Sequence, residues 1–156
     1  MTQQKKEFAQ FFREAQVSFS RFYSVALTAV DLTLPQYALL SQLSICGTIS
    51  MTEASKRLHV TKPAITNLVD RLEEKKCLRR MPHAKDRRIY LLEILPKGEK
   101  LVRGIQEKVF QILLQTLNKF GAHEKALIIR FYGNLSDNVK NAFPVERETR
   151  YEKTGY

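Results

Sequence analysis

Between Thr33 and Pro63 the chain carries three helix-start signals in close succession. Thr33 and Gln36 have the spacing of a capping box, with Pro35 in the first turn, where its missing N–H costs nothing. Ser50 and Glu53 repeat the device, and Thr61 can cap a further helix with Pro63 in its first turn. Helices restarted this often must be short and joined by tight turns. The expected spans are about Leu34 to Gly47, Met51 to Leu58 and Thr61 to Lys76, with His59-Val60 as a brief turn. Beyond Lys76 the apolar period drops from about 3.6 toward about 2. L-R-R-M, a polar turn P-H-A-K-D-R and R-I-Y-L-L-E-I-L read as a β-hairpin, broken by Pro96-Lys97-Gly98.

Longer helices flank this unit. Phe8, Phe11, Phe12, Ala15, Phe19, Phe22, Tyr23, Ala26, Leu27 and Val30 recur at helical spacing. That aromatic-rich stripe is too long for a small domain to cover, so part of it should bury against a partner chain. A second long helix is expected from Glu99 to Phe120. A last one runs from about His123 to Ala142, with Leu127, Ile128, Phe131 and Leu135 on its inner face and Gly133 as a weak point. The tail from residue 144 to 156 has almost no aliphatic side chains and is expected to be mobile. The fold class is mainly α (α+β): a winged helix-turn-helix over 33–96, with its second helix at about 61–76 and its wing at about 78–95. Long flanking helices are expected over 1–32 and 97–143.

Charge narrows the function. The net charge is +10, which calls for an anionic partner: nucleic acid, a membrane surface or an acidic protein, against the plain alternative of general solubility. Between Thr52 and Tyr90 eleven basic residues face five acidic ones, so six of the ten excess charges sit in a quarter of the chain. The two cysteines, Cys46 and Cys77, lie far apart and fit a reducing compartment. M-T-Q-Q-K-K-E-F-A-Q-F-F lacks the apolar core of a signal peptide, and no apolar run approaches the roughly 20 residues that span a bilayer. A soluble, cytoplasmic protein is expected.

Within Leu58–Leu72, Ile65, Leu68, Val69 and Leu72 form the inward stripe of a helix. Pro63, Thr66, Asn67 and Asp70 lie opposite, with Lys62 nearer the flank. The second helix of a helix-turn-helix enters a DNA major groove by its N-terminal residues. Such a face must be small enough to pass the groove walls and must offer donors and acceptors, as Thr66 and Asn67 do. Asn suits adenine, and the Thr methyl suits a thymine methyl. Asp70, Glu73 and Glu74 crowd the C-terminal half and would repel phosphates, so the N-terminal half should read. A tip of K-D-R-R can place an arginine in a narrow minor groove. A solvated turn is the alternative there.

At these residues the chain resembles the MarR family of winged-helix transcriptional regulators. The likeness covers roughly Leu32 to Gly98. It rests on L-T-x-x-Q, S-x-x-E-A, T-K-P-A-I-T-N-L-V-D-R-L-E-E-K, and D-R-R followed by P-K-G. The resemblance implies a triangular homodimer, with 1–32 and 97–143 as the intertwined dimerisation helices, that binds pseudopalindromic double-stranded DNA, usually as a repressor, and in many members releases it on binding a small-molecule effector or on oxidation. It places Thr61, Lys62, Pro63, Thr66 and Asn67 at the major groove and Arg88 in the minor groove, oriented by an ion pair to Asp86. Arg71, Lys85 and Arg87 complete the candidate DNA-binding set. Two residues depart from the pattern. The family commonly has arginine where this chain has Asn67, and glycine after the recognition helix where this chain has Cys77. A cysteine forced into the left-handed C-cap would cost about 1 kcal/mol, unless the helix ends differently.

Other chemistries find little support. Redox control in this family uses a cysteine in the first helix, and this chain has none there. Cys46 reads as a small buried hydrophobe. Cys77, among Lys75, Lys76, Arg79 and Arg80, would be a reactive thiol only if exposed. His59, His83 and His123 are dispersed, so neither a metal nor a cofactor is expected. No G-x-S-x-G, glycine-rich phosphate loop or H-E-x-x-H is present, and an enzyme is not expected. Two binding roles remain as rivals: a winged-helix protein–protein module and a sequence-independent nucleic-acid binder.

Overall fold

The computed structural model describes residues 2–142, and the expected tail lies outside them. Six helices and three strands follow in the order α1 (Gln3–Thr28), α2 (Leu34–Cys46), β1 (Ile49–Ser50), α3 (Met51–Arg57), α4 (Lys62–Glu74), β2 (Leu78–Pro82), β3 (Tyr90–Ile94), α5 (Pro96–Leu117) and α6 (Ala122–Ala142). The expected fold class stands: mainly helical, with a winged helix-turn-helix at the centre.

The caps act as their sequences suggest, with one exception. Thr33 and Gln36 close a full capping box, Thr33 N–H donating to Gln36 Oε1 at 3.0 Å. Thr61 Oγ1 accepts from Ala64 N–H at the head of α4. Ser50 Oγ accepts from Glu53 N–H at 3.1 Å. The Glu53 carboxylate turns instead to Arg57, which also reaches Gln42 and Cys46 Sγ on α2. That arginine ties α3 to α2.

Three helices end alike. Asp31, His59 and Lys76 all have left-handed backbone, with φ of 53°, 51° and 56°. In each case the following residue donates five residues back: Leu32 to Leu27, Val60 to Ser55 and Cys77 to Leu72. This is the Schellman closure, usually built on glycine. At the end of α4 the left-handed residue is therefore Lys76. Cys77 follows it, immediately before β2, and is fully buried.

The hairpin holds its expected place, with Arg80 opposite Leu92 and Arg79 opposite Glu93. It is not alone. Ile49 and Ser50 pair with Leu92 and Leu91, giving a three-stranded antiparallel sheet in the order β1-β3-β2. Two residues of strand between two helices leave no periodicity to detect. Pro96-Lys97-Gly98 does not merely break the second strand; it begins α5, with Pro96 in the first turn. Gly98 is buried there because a Cβ would run into the Cys77 carbonyl oxygen.

One core joins these parts. Leu39, Leu40 and Leu43 of α2 meet Ile65, Val69 and Leu72 of α4, Leu78 and Leu92 of the sheet, and Val102 and Ile105 of α5. Each contributes about 2 kcal/mol of burial. The expected inner face of the last helix is different. No residue of α6 is buried, and Leu127, Phe131 and Leu135 are 43%, 47% and 39% exposed. Phe8, Phe11 and Phe12 of α1 are also open to solvent. Phe8 meets Phe131 edge-on, with ring centroids 6.2 Å apart, so the start of α1 touches the middle of α6 without covering it. Gly133 does not interrupt α6.

Candidate nucleic-acid interface

Ile65, Val69 and Leu72 pin α4 to the core, and Leu68 packs against them part-buried. The opposite face is open: Lys62, Pro63, Thr66, Asn67, Asp70 and Arg71 are all exposed. Thr61 is exposed as well, with its hydroxyl oxygen engaged as the cap. Thr66 Oγ1 donates to the Lys62 carbonyl at 2.9 Å. That bond fixes the hydroxyl's rotamer, and a donating hydroxyl can still accept a hydrogen bond. The N-terminal half of α4 thus presents Lys62, Thr66 and Asn67 with no acidic side chain between them.

The wing tip is ordered by side-chain contacts to its own backbone. His83 N–H donates to the Ile89 carbonyl at 2.9 Å, and His83 Nδ1 accepts from the amides of Lys85 and Asp86 at 3.3 Å. The expected ion pair is present. Arg88 Nε and Nη2 donate to Asp86 Oδ1 and Oδ2 at 3.1 and 3.2 Å, and the Arg88 amide donates to Oδ1 at 3.0 Å. These bonds, the guanidinium first and the amide second, hold the Asp86 carboxyl below its ordinary pKa. Arg88 stays 92% exposed, so it is aimed without being withdrawn. Lys85 and Arg87 flank it in the open.

One residue escaped the sequence reading. Arg80 of β2 reaches across to α4: Nη1 lies 2.5 Å from Glu73 Oε2, and Nη2 lies 2.6 Å from Asp70 Oδ1. Nη2 also donates to the Thr66 carbonyl at 3.4 Å, and the Arg80 amide donates to Glu73 Oε1 at 2.8 Å. The acidic half of α4 is therefore partly neutralised from the wing. The signal was available, since Arg80 shares a strand face with Leu78, and a cation beside a core residue requires partners. Arg79, on the other face, pairs across the sheet with Glu93 at 2.6 Å.

Cys77 lacks the exposure that reactivity would need, whereas Cys46 is less buried than expected. Burial pushes the Cys77 thiol above its ordinary pKa, outweighing the nearby Lys97 and Lys75. Cys46 is only half-buried, and its Sγ lies 3.0 Å from Arg57 Nη1. A groove of about 410 Å³ opens between α1 and α5, lined by Tyr23, Arg103, Gln106, Glu107, Val109, Phe110 and Leu113. Of the first helix's aromatic stripe, Tyr23 alone lines it. Among the described residues no helix is long and apolar enough to cross a membrane.

The sequence profile of the MarR family matches residues 32–90. The multiple antibiotic resistance protein MarR of Salmonella typhimurium is 31% identical over 93 residues, 60% of this chain and 65% of that protein. Among solved structures, a MarR family protein from Bacillus stearothermophilus superposes with a TM-score of 0.77 at 23% identity, over 90% of this chain and 99% of that one. The MepR–DNA complex of S. aureus gives a TM-score of 0.61 at 25% identity, over 81% of this chain and 98% of that one.

Proposed function

We propose that this chain is a member of the MarR family and a dimeric, sequence-specific DNA-binding regulator of transcription, acting in the cytoplasm as a repressor rather than as an enzyme. One observation carries the reading. An exposed helix end free of acidic side chains, bearing Lys62, Thr66 and Asn67, belongs to the same packed unit as a hairpin whose tip arginine is aimed by Asp86. Thr61, Lys62, Pro63, Thr66, Asn67 and Arg71 serve the major groove. Lys85, Arg87 and Arg88 serve the backbone and minor groove, with Asp86 as the residue that orients Arg88.

Dimerisation supplies the second half-site. The open apolar residues of α1 and α6, among them Phe8, Phe12, Phe131 and Leu135, are the surface a second copy would cover. Two recognition helices about 34 Å apart can then read both arms of an inverted repeat. A small molecule in the α1–α5 groove would act by changing the angle between the lobes and so breaking that spacing.

The test is selection of a randomised duplex library on the purified protein, followed by salt titration of the winners against scrambled duplexes. The expected result is an inverted repeat bound about a thousandfold or more over scrambled DNA at fixed salt. Equal binding of all sequences would leave a sequence-independent binder. No binding at all would move the basic face to a protein partner.

A further inference from the structure

We propose that Arg80 is a specificity-positioning residue of this interface, one that sets the angle between recognition helix and wing and screens the helix's own carboxylates from the phosphates. The inference rests on the DNA-binding reading above. Its carrier is the geometry of one guanidinium. Arg80 touches Thr66, Asp70 and Glu73, residues one turn apart along a single line of α4. That line borders the reading face formed by Thr66 and Asn67. A fork that meets three points along a helix resists rotation of that helix about its axis, which a single contact does not.

The base of the fork is equally fixed. Arg80 is paired with Leu92 at the middle of the hairpin, and its amide donates to the same Glu73 carboxylate. The far end of that hairpin carries Arg88. Major-groove and minor-groove elements are thus joined through one side chain that is itself only 22% exposed. Buried to that degree, Arg80 cannot also act as a freely reaching phosphate contact. Its charge is spent inside the protein, against Asp70 and Glu73, which are 52% and 31% exposed and would otherwise face the DNA backbone unopposed.

Two separable effects follow. Loss of screening weakens binding to every duplex alike. Loss of the angular constraint weakens binding to the operator alone, because only there must helix and wing fit together. The experiment measures affinity for the selected operator and for a scrambled duplex across a salt series, using the full chain. The variants are Arg80→Ala, Arg80→Lys, Asp70→Asn with Glu73→Gln, and the triple variant, each checked for folding by circular dichroism.

In Arg80→Ala the operator-to-scrambled ratio should fall about tenfold or more, and scrambled binding should fall too. The triple variant should recover scrambled binding but not the ratio. Arg80→Lys keeps a charge but has no fork, so it should keep scrambled binding and lose the ratio; it carries the test if Arg80→Ala does not fold. An equal fall on both duplexes, with a salt slope smaller by about one, would make Arg80 an ordinary phosphate contact and overturn the proposal. An unchanged ratio in Arg80→Lys would overturn it as well. A wild-type chain that prefers no sequence would sink the parent reading first and this inference with it.

Discussion

Replacing Lys76 by glycine should stabilise the protein. Lys76 holds φ at 56° so that the Cys77 amide can reach the Leu72 carbonyl and its own amide the Glu73 carbonyl, at 2.9 and 2.8 Å. Left-handed backbone costs a side-chain-bearing residue about 1–2 kcal/mol. Glycine removes that cost but loses about 0.5–1 kcal/mol more entropy on folding. The Lys76 side chain is exposed, so little packing is lost. The net gain is about 0.5–1 kcal/mol, or a Tm about 2 °C higher for a chain of this size. Urea and thermal melts at one protein concentration measure it, because partner binding would make Tm concentration-dependent. Two controls fix the position. Cys77→Gly, which empties a fully buried site, should destabilise by on the order of 2 kcal/mol. Asp31→Gly should gain less than Lys76→Gly, since Asp31 also pairs with Lys75 Nζ at 2.9 Å. A neutral or destabilised Lys76→Gly, or a stabilised Cys77→Gly, would refute the assignment of the left-handed residue.

Three further outcomes follow from single contacts. Gly98→Ala should destabilise by about 1–3 kcal/mol in a urea melt, because its Cβ meets backbone at the Cys77 carbonyl that has nowhere to go. Cys77 should resist a thiol reagent in the folded protein at pH 8 and react on adding urea, since burial holds its thiol neutral, while half-buried Cys46 reacts in the fold. Equal folded-state rates at the two cysteines would contradict this. Asp86 has a depressed folded pKa, so the stability its ion pair adds is present above the unfolded carboxyl value and lost as pH falls through the lower folded one. NMR titration of the Asp86 carboxyl should therefore give a midpoint below the ordinary 3.8, rising toward it in Arg88→Ala.

How much was legible depended on how local the cause is. The helix starts at Thr33, Ser50 and Thr61 were readable because a cap acts within three residues of itself. The open face of α4 was readable because its inward stripe is periodic. Strand β1 was not, because Ile49-Ser50 is too short to alternate and is defined only by Leu91 and Leu92 far along the chain. Glu53 misled as a capping-box residue because Arg57 competes for its carboxylate one turn on. The left-handed residue after α4 is Lys76 and not Cys77, and α4 stops at Glu74 rather than near Lys76, because the glycine that usually marks such an end is absent.

Arg80 is the sharper case. Every residue it touches is visible in the sequence, yet charge along the helix alone makes the acidic half of α4 a repulsive surface. Pairing across a hairpin is set by register, and Arg80 meets Asp70 and Glu73 only because Leu78 and Leu92 fix the sheet against Leu72 and Val69. The same limit applies to the flanking helices. Their stripe of phenylalanines was visible in the sequence, but what covers it is not a property of one chain. No described residue of α6 is fully buried, so the apolar residues of α1 and α6 are left largely uncovered within the chain, as the dimer proposed above would require.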